Sequence, residues 1–421
     1  MSEEAACAVH IAPGKLSGTV KAPASKSFAH RALICAALAG GASLLTNVDM
    51  SKDIWATIQC LNSLGFKAEY QGSSKSISIS GEKLSKNQAL LNCGESGSTL
   101  RFMIPLAAAL GVETEFTGEG RLPSRPIGEF NSIFQGKGIQ IDSTAGALPL
   151  KIRGQLKSGV FHVSGNISSQ YITGLLLALP ILDGDSEIRL LTPLESAPYI
   201  DITIEVMAEF GVKVEKSDEG FRVSGGQKYV AREYEIEGDF SQAAFWLSAN
   251  ILGSKLSVTG LNNASAQGDK AIVEVLKQME FGPRHTEHER IFDASQIPDL
   301  VPIMAGVAAL LPGKTIINNA GRLRIKESDR LSAVTEELTK LGADIKEFPE
   351  SLVIQGKQVL RGGRSSAWND HRIAMMLAIV ALNTKQGVTI DGFHCVEKSY
   401  PEFFKEFARL GGEVHELNMG E

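Results

Sequence analysis

The sequence predicts an α/β protein of two similar domains, each built from three β-α-β-α-β-β units. The first observation is a series of six apolar helices whose closing glycines recur about 60 to 74 residues apart. The second is the order of elements after these glycines: a short apolar strand, a further helix and then alternating strand-like segments. Strands that alternate with helices indicate stacked layers, and helices that are apolar all round are expected to be buried. The alternative is a chance pattern in an unrepeated α/β protein.

The six buried helices are predicted where apolar residues run up to a glycine that suits the position after a helix end. They cover Ala29–Gly41, Arg101–Gly111, Ile172–Gly184, Gln242–Gly253, Pro298–Gly313 and His371–Gly387. Strands are expected next at Ser43–Asn47, Glu187–Leu191, Thr315–Asn318 and Val388–Ile390. The second helices are predicted to end at Gly65, Gly211, Gly342 and Gly411, with looser copies at Pro126–Gly138 and Asp269–Gly282. Alternating segments such as Lys75–Ser80 and Phe221–Ser224 then complete the unit as half-buried strands.

The composition is that of a globular protein with more than one core. The chain has 421 residues, of which 43% are hydrophobic and 21% charged, so disorder is excluded. The net charge of −6 argues against a nucleic-acid partner. No apolar run approaches the ~18 residues of a membrane helix, and no targeting pattern opens the chain. Five scattered cysteines without a C-x-x-C pair indicate a reduced, cytoplasmic protein without a zinc ribbon.

The weakest continuity along the repeat lies at the polar stretch Tyr229–Glu237, where we place a domain boundary. The segment Met1–Lys21 could belong to either side of it.

Serine, glycine, lysine and arginine recur where the predicted helices begin. Serine is a common N-cap, so Ser25, Ser168 and Ser196 each fit a capping role. A cation at a helix N-terminus is different, because it opposes the macrodipole by roughly 0.3–1 kcal/mol. The cations in question are Lys26, Arg31, Arg101, Arg125, Lys326, Arg330, Arg372 and Lys398. Bound anions explain so many better than a solvated face does, so we expect a site for more than one phosphate or carboxylate.

Two carboxylates lie among these cations. Asp299 opens the fifth buried helix and Glu327 follows Lys326, so both are candidates for general acid or base work, although either could be a structural partner. His371 shares this setting. Other phosphate and hydrolase motifs are absent: the Walker pattern fails because Ala308 stands at its first glycine, and no G-x-G-x-x-G, H-E-x-x-H or G-x-S-x-G motif is suitably placed.

The order and spacing of these segments resemble the 5-enolpyruvylshikimate-3-phosphate synthase family of enolpyruvyl transferases, from about Ile11 to Gly412. The segments that carry the resemblance are Ser25–Ser27 with Arg31, Gly97–Arg101, Arg125-Pro126, Ser168–Gln170, Pro198–Asp201, Glu237–Asp239, Ile297–Asp299, Lys326–Arg330 and Asn369–Arg372. The resemblance implies an inside-out α/β barrel in each domain, with buried parallel helices and an active site in the interdomain cleft. It also implies that one domain spans 24–237 and that 1–23 joins 238–421 in the other.

The implied reaction transfers the enolpyruvyl group of phosphoenolpyruvate to the 5-hydroxyl of shikimate 3-phosphate by addition and elimination, with release of phosphate. This is a step of aromatic amino-acid biosynthesis through the shikimate pathway and the target of glyphosate. Chemistry of this kind needs proton transfer and cations on the phosphates and carboxylates. The resemblance implies no metal, no cofactor and a monomeric enzyme.

The resemblance also assigns the site residues. Shikimate 3-phosphate is expected to contact Lys26, Ser27, Arg31, Ser168, Ser169, Gln170, Ser196, Tyr199, Asp299 and Lys326. Phosphoenolpyruvate is expected to contact Lys26, Gly97, Arg125, Gln170, Arg330, Arg372 and Lys398. Asp299 is the expected base at the 5-hydroxyl, Glu327 and Lys326 are the expected proton-transfer groups, and Lys26 is expected to reach both ligands.

The chain departs from the family pattern at three places: Arg322 stands where many members have Asn, Ala197 replaces a basic residue, and Glu95–Ser98 varies a common Asn-Ala-Gly-Thr. Gly97 keeps the minimal side chain that would leave room for glyphosate. The nearest alternative is the sister enzyme that acts on UDP-N-acetylglucosamine, in which many members carry a reactive cysteine. The corresponding loop here, Thr117–Arg125, has none. A non-catalytic phospho-ligand sensor would lose Asp299 and Glu327, and an RNA-end-processing protein should be more basic.

Overall fold

The helices of the structure, a computed structural model that describes residues 8–81, 87–144, 146–281 and 289–418, alternate between more and less buried members. In chain order they are α1 (Lys26–Leu38), α2 (Lys52–Leu64), α3 (Gly97–Leu110), α4 (Glu129–Ile133), α5 (Ser169–Ala178), α6 (Ala197–Glu209), α7 (Phe240–Ile251), α8 (Ile272–Phe281), α9 (Val301–Leu310), α10 (Arg330–Lys340), α11 (His371–Ala381) and α12 (Phe403–Arg409). Every residue of α9 and of α11 is buried. Gly282, the predicted end of one helix, and residues 1–7 of the predicted N-terminal piece lie outside the described residues.

The strands are short, as expected for segments that lie between helices. They are β1 (Ala8–Ile11), β2 (Ser17–Lys21), β3 (Ala42–Thr46), β4 (Lys67–Gln71), β5 (Ser76–Ser80), β6 (Gln88–Asn92), β7 (Glu113–Thr117), β8 (Ile139–Ser143), β9 (Leu150–Gly154), β10 (Gly159–Val163), β11 (Ser186–Leu190), β12 (Glu215–Ser217), β13 (Gly220–Val223), β14 (Glu233–Glu235), β15 (Lys255–Thr259), β16 (Glu289–Asp293), β17 (Gly313–Asn318), β18 (Asp344–Phe348), β19 (Ser351–Gly356), β20 (Gly363–Ser366), β21 (Val388–Asp391) and β22 (Val414–Leu417).

The chain divides into two units, which we call the continuous unit (Ala24–Glu237) and the discontinuous unit (Met1–Pro23 with Gly238–Glu421). The continuous unit holds three four-stranded sheets with one topology: β14-β3-β5-β4, β6-β7-β9-β8 and β10-β11-β13-β12. In each sheet the first two strands are parallel and the remaining pairs are antiparallel. A buried helix connects the parallel pair in the second and third sheets, so the predicted β-α-β-α-β-β unit is confirmed there.

The discontinuous unit repeats this topology in the sheets β16-β17-β19-β18 and β20-β21-β1-β22, and it contains the parallel pair β15-β2. The N-terminal strand β1 completes the last of these sheets by pairing antiparallel with both β21 and β22. The other N-terminal strand, β2, pairs parallel with β15.

The chain therefore crosses between the two units twice. After β2 it enters the continuous unit at α1, and after β14 it returns to the discontinuous unit at α7. Each unit closes its own ends with one backbone hydrogen bond of 2.8 Å: Ser25 N–H donates to Glu237 O, and Asp239 N–H donates to Pro23 O.

The glycine prediction is confirmed for the second helix of four units. Gly65, Gly211, Gly342 and Gly411 follow α2, α6, α10 and α12 with φ of 103°, 83°, 96° and 95°, in the left-handed region that glycine adopts freely.

For the buried helices the same prediction is right at Gly111, which caps α3 with φ of 69°, and at Gly253, which follows α7 with φ of 101°. It is wrong at Gly184, Gly313 and Gly387. α5 ends at Ala178 rather than near Gly184, because Pro180 lies in a 3₁₀ turn there and lacks the N–H that a helix needs. α11 ends at Ala381, well before Gly387, and Gly313 is the first residue of β17.

Candidate active site

Lys26 is the first residue of α1, and its charge is held by a carboxylate of the neighbouring helix. Its Nζ donates to Asp53 Oδ2 at 2.6 Å, and Asp53 lies in the first turn of α2, where the helix dipole favours a negative charge. Ser51 caps this helix by accepting the Ile54 N–H at 3.3 Å. The ion pair places the Lys26 ammonium at the start of two helices of the continuous unit.

Arg31 is buried and joins α1 to the start of α6. Its Nε donates to Thr203 Oγ1 at 2.7 Å, and Nη2 donates to Tyr199 O at 2.9 Å. Nη1 donates to Ser27 O at 2.7 Å, and the guanidinium lies 5.2 Å from the centre of the Phe102 ring. Burial lowers the pKa of Arg31 to about 10, so it keeps its charge at neutral pH. Much of the donor capacity expected for a substrate carboxylate is therefore used by protein oxygens.

Gln170 and two arginines surround the start of α3. The amide of Gln170 donates to Ser98 Oγ at 2.9 Å and accepts from Arg101 Nη1 at 3.0 Å. A Cβ atom added at Gly97 would lie 2.7 Å from a nitrogen of Arg125 and 2.9 Å from one of Arg101. A side chain at position 97 would therefore push at least one of these two guanidinium groups out of its present position.

The serine caps divide into two kinds. Ser168 caps α5 through its hydroxyl, which accepts the N–H two residues further on at 3.3 Å, so capping is confirmed there. At Ser25 and Ser196 capping is wrong, since both occupy the N-cap position without a side-chain capping bond. Ser196 has φ of 54°, a left-handed conformation that non-glycine residues rarely adopt. Ser169 is the buried first residue of α5, and Tyr199 lies in the first turn of α6.

In the discontinuous unit, Arg330 is the centre of a charged cluster and only 1% of its side chain is exposed. Its Nη1 donates to Asp299 Oδ1, Nη2 to Glu327 Oε2 and Nε to Asp370 Oδ2, each at 2.8 Å. Burial alone would lower the pKa of Arg330, but the three carboxylates outweigh burial and raise it. The arginine is permanently charged and holds three carboxylates in fixed positions.

Asp299, the predicted base, lies in a 3₁₀ turn that leads into α9 and contacts two further cations. Arg372 Nη2 donates to Asp299 Oδ2 and Arg372 Nη1 to Asp299 O, both at 3.1 Å. The Nζ of Lys326 lies 3.8 Å from Asp299 Oδ1. One carboxylate thus meets Arg330, Arg372 and Lys326.

Lys326 is a predicted proton-transfer group whose pKa is shifted by its surroundings. Burial lowers the pKa of Lys326 to about 8; Asp299 and Glu327 oppose this shift, and Arg330 and Arg322 add to it. A lysine with this pKa exchanges protons readily near neutral pH.

Asp370 belongs to this cluster and was not among the predicted site residues. It is fully buried, caps α11 by accepting the Arg372 N–H at 3.0 Å, and accepts Ser328 Oγ at 3.0 Å. Burial raises the pKa of Asp370, but the Arg330 charge outweighs this and the net shift is downward. The sequence alone can predict that Asp370 is an N-cap, because it precedes the helix that begins with His371. The sequence alone cannot predict its ion pair with Arg330, which lies 40 residues earlier.

Two more carboxylates were missed. Asp53 lies in the first turn of α2, a position where a carboxylate is favoured by the helix dipole. That position could have identified it as a partner for Lys26. Asp269 is buried near α8, and burial together with the Asp299 charge raises its pKa to about 6. Nothing in the local sequence signals that Asp269 is buried beside another carboxylate.

Lys398 is buried and its Nζ donates to Asn369 O at 2.7 Å.

The predicted site residues fall into two groups, one in each unit. Lys26, Ser27, Arg31, Gly97, Arg125, Ser168, Ser169, Gln170, Ser196 and Tyr199 belong to the continuous unit, and Asp299, Lys326, Glu327, Arg330, Arg372 and Lys398 to the discontinuous one. The predicted interdomain cleft stays a prediction.

Within the described ranges, no group of three or more His, Cys, Asp or Glu side chains is suited to hold a metal ion. Across the same residues, no helix has the length and apolar character needed to span a membrane.

A sequence profile of EPSP synthase (3-phosphoshikimate 1-carboxyvinyltransferase) matches residues 11–407 of this chain. The 3-phosphoshikimate 1-carboxyvinyltransferase of Clostridium kluyveri is 49% identical over 98% of this chain and 99% of its own length. The enzyme of the same name from Clostridium acetobutylicum is 47% identical over 98% and 99%.

Solved structures agree with these sequence matches. The EPSP synthase of Acinetobacter baumannii matches with a TM-score of 0.79 and 25% identity over 97% of this chain and 99% of its own. The enolpyruvyl transferase NikO of Streptomyces tendae has the same TM-score at 17% identity, over 98% of this chain and 99% of its own, and shows the fold alone. These likenesses confirm the predicted α/β fold class. The chain belongs to the EPSP synthase family, the transferases that move the enolpyruvyl group of phosphoenolpyruvate to shikimate 3-phosphate in aromatic biosynthesis.

Proposed function

We propose that Asp299, Glu327 and Lys326 carry out the proton transfers of the enolpyruvyl transfer, and that cations of both units hold the anionic substrates. The observation that carries this proposal is the cluster around Arg330, where Asp299 and Glu327 are fixed at 2.8 Å from one buried guanidinium. Acid–base groups of a two-step reaction must keep their positions while protons move, and bonds to a permanently charged, buried arginine supply such positions.

In the addition step, the 5-hydroxyl oxygen of shikimate 3-phosphate bonds to the enol carbon of phosphoenolpyruvate and its proton passes to Asp299. The methylene carbon takes a proton from Glu327 or Lys326, which gives a tetrahedral ketal. In the elimination step, the group that protonated the methylene carbon, Glu327 or Lys326, takes a proton back from the new methyl group as the bond from carbon to the phosphate oxygen breaks. The products are the enolpyruvyl ether and inorganic phosphate, and the chain's own ionisable groups suffice for both steps. We propose that no metal and no cofactor is required.

Two sets of residues hold the substrates in this proposal. For shikimate 3-phosphate they are Lys26, Ser27, Arg31, Ser168, Ser169, Gln170, Ser196 and Tyr199, with Asp299 and Lys326 at the reacting hydroxyl. For phosphoenolpyruvate they are Lys26, Gly97, Arg125, Gln170, Arg330, Arg372 and Lys398. The buried guanidinium of Arg125 beside Gly97 supports the phosphoenolpyruvate set, because a desolvated cation binds phosphate and carboxylate more strongly than an exposed one. We also propose that glyphosate takes the place of phosphoenolpyruvate, and that the enzyme acts as a monomer in the cytoplasm, without nucleic-acid or membrane partners.

The test is the release of phosphate from phosphoenolpyruvate, with shikimate 3-phosphate and UDP-N-acetylglucosamine offered as separate acceptors. Release with shikimate 3-phosphate alone supports the proposal. Release with the sugar nucleotide alone would assign the chain to the sister activity. A folded protein that releases phosphate with neither acceptor would contradict the catalytic roles.

The activity should fall on the alkaline side as Lys326 loses its proton. Since the pKa of Lys326 is about 8, kcat/KM is expected to decline as the pH rises through about 8. Arg322 helps to lower this pKa, so Arg322→Asn should move the alkaline limb to higher pH. The measurement is kcat/KM across the neutral and alkaline range for both proteins. An alkaline limb that stays in place in Arg322→Asn would show that another group controls it.

A further inference from the structure

Residues 367–370 form a turn in an unusual backbone conformation, which we call the 367–370 turn. Trp368 and Asn369 have φ of 53° and 52°, and the Asp370 N–H donates to Ala367 O at 2.8 Å. Positive φ at both central residues is the pattern of a type I′ turn, which favours Asn-Gly or Gly-Gly. A bulky tryptophan is disfavoured there, and such residues persist only where their surroundings hold them.

Glu337 of α10 is the group that holds the 367–370 turn from the side. Its Oε1 accepts the Trp368 indole N–H at 2.6 Å, and its Oε2 accepts the Ser366 backbone N–H at 3.0 Å. The Glu337 side chain is fully buried, and Lys340 Nζ donates to the same carboxylate at 2.9 Å. The carboxylate therefore bonds both the strand that enters the turn and the tryptophan at its tip.

Helix α10 is fastened to this segment at two points. Arg330, its first residue, binds Asp370, and Glu337 binds Trp368. Two residues seven positions apart lie on one face of a helix, about 10 Å apart along its axis. Two attachments to one rigid helix fix both the position and the orientation of the turn.

The 367–370 turn contributes the Asn369 carbonyl and the Asp370 carboxylate to the charged cluster around Arg330. The carbonyl of Asn369 accepts Lys398 Nζ at 2.7 Å, and Asp370 accepts from both Arg330 and the Arg372 N–H. Lys398, Arg330 and Arg372 are the discontinuous unit's cations for phosphoenolpyruvate in the function proposed above. The turn thus bonds the Lys398 ammonium directly and the Arg330 guanidinium through Asp370, whereas it meets Arg372 only at the backbone N–H.

We propose that Glu337 and Trp368 are positioning residues for phosphoenolpyruvate. The Glu337 carboxylate keeps the 367–370 turn in its left-handed conformation. The Asn369 carbonyl of this turn then sets the position of the Lys398 ammonium. This inference rests on the proposed function, specifically on the assignment of Lys398 to phosphoenolpyruvate.

The test compares steady-state KM values for the two substrates in four single variants. Glu337→Gln leaves one acceptor oxygen for three donors, which are the Trp368 indole N–H, the Ser366 N–H and the Lys340 ammonium. Trp368→Phe removes the indole N–H together with the five-membered ring that carries it. Glu336→Gln is the matched control, because Glu336 also accepts Lys340 Nζ, at 2.8 Å, but is half exposed. Lys398→Ala tests the underlying assignment. We expect the KM for phosphoenolpyruvate to rise roughly 10- to 100-fold in Glu337→Gln and Trp368→Phe, as for a misplaced binding group. The KM for shikimate 3-phosphate should stay unchanged, and Glu336→Gln should match the parent.

Each other outcome overturns the inference. If the KM for phosphoenolpyruvate rises in Lys398→Ala but in neither Glu337→Gln nor Trp368→Phe, the positioning role is rejected and the proposed function stands. Equal rises for both substrates would indicate a merely structural role. No rise in any variant would refute the assignment of Lys398 and the inference with it. The indole N–H resonance that disappears in Trp368→Phe identifies Trp368, and its chemical shift in Glu337→Gln verifies that the hydrogen bond was altered.

Discussion

Replacement of Glu327 by glutamine is expected to lower kcat by at least about 100-fold, the usual contribution of a positioned acid or base. Glutamine keeps the shape and can still accept the Arg330 Nη2–H, which Glu327 accepts at 2.8 Å, but it cannot exchange a proton. The fold should therefore survive while the proton transfer to carbon fails. Steady-state phosphate release at saturating concentrations of both substrates measures the effect.

Lys26→Ala should cause a loss of similar size, because it removes a cation proposed to contact both substrates and takes from Asp53 the ammonium that lies at 2.6 Å. Glu336→Gln and Lys75→Ala are the matched controls. Both replace side chains that are half exposed or more and that form surface ion pairs. Rates within a few fold of the parent in Glu327→Gln or Lys26→Ala would refute the assigned roles.

Arg330→Met is expected to destabilise the protein by about 3–5 kcal/mol, the cost of removing one partner from a buried ionic group. Methionine is flexible enough to fill much of the space, but Asp370, which is fully buried, would keep a negative charge without its main counter-ion. Urea unfolding of parent and variant measures the difference. Because a chain of two units can unfold in more than one step, the slope of the transition must be compared as well.

The control for Arg330→Met is Arg364→Met. Arg364 also forms two-pronged contacts with an aspartate, Asp391, but its side chain is 59% exposed. An exposed pair contributes about 0–1 kcal/mol, so this variant should lose little. Equal losses in the two variants would contradict the argument from burial.

The pH dependence of Arg330→Met has a defined sign. The pKa of Asp370 is lowered in the folded protein, so its ionic bonds stabilise the fold above the unfolded pKa, about 3.9, and this contribution fades as the pH falls through the lower folded pKa. The stability gap between parent and variant should therefore narrow below about pH 4. A gap that widens on acidification would exclude Asp370 as the main group affected.

The repeat was predictable because it is a pattern in apolar residues. Period and glycine spacing located the second helix of four units, and Gly65 and Gly342 end their helices as predicted. Helix ends that depend on a particular residue were not predictable from the pattern, as Pro180 shows for α5. The pattern reports burial, whereas a helix end depends on local hydrogen bonds.

Most charged residues of the site could be predicted from the sequence, but which cation pairs with which carboxylate could not. Helix dipoles pointed to Lys26, Arg330 and Arg372 as ligands of bound anions, and only Asp299 and Glu327 were considered as structural partners within the chain. In the structure these three cations also bind carboxylates of the chain, including Asp53 and Asp370, which the prediction omitted. Pairing across 27 or 40 residues depends on the tertiary fold, and no local spacing encodes it.

The division of the discontinuous unit between the two ends of the chain imposes an order on synthesis. The continuous unit has all its strands once β14 has been made, since β14 completes the sheet of β3. The N-terminal strand β1 must wait for β21 and β22, its partners at the other end of the chain. At a translation rate of about 5–20 residues per second, that delay after β14 is on the order of 10 to 40 seconds. Strand β1 is thus made early but is among the last to be paired. Until β21 and β22 have been made, its backbone N–H and C=O groups lack the strands that pair with them in the fold.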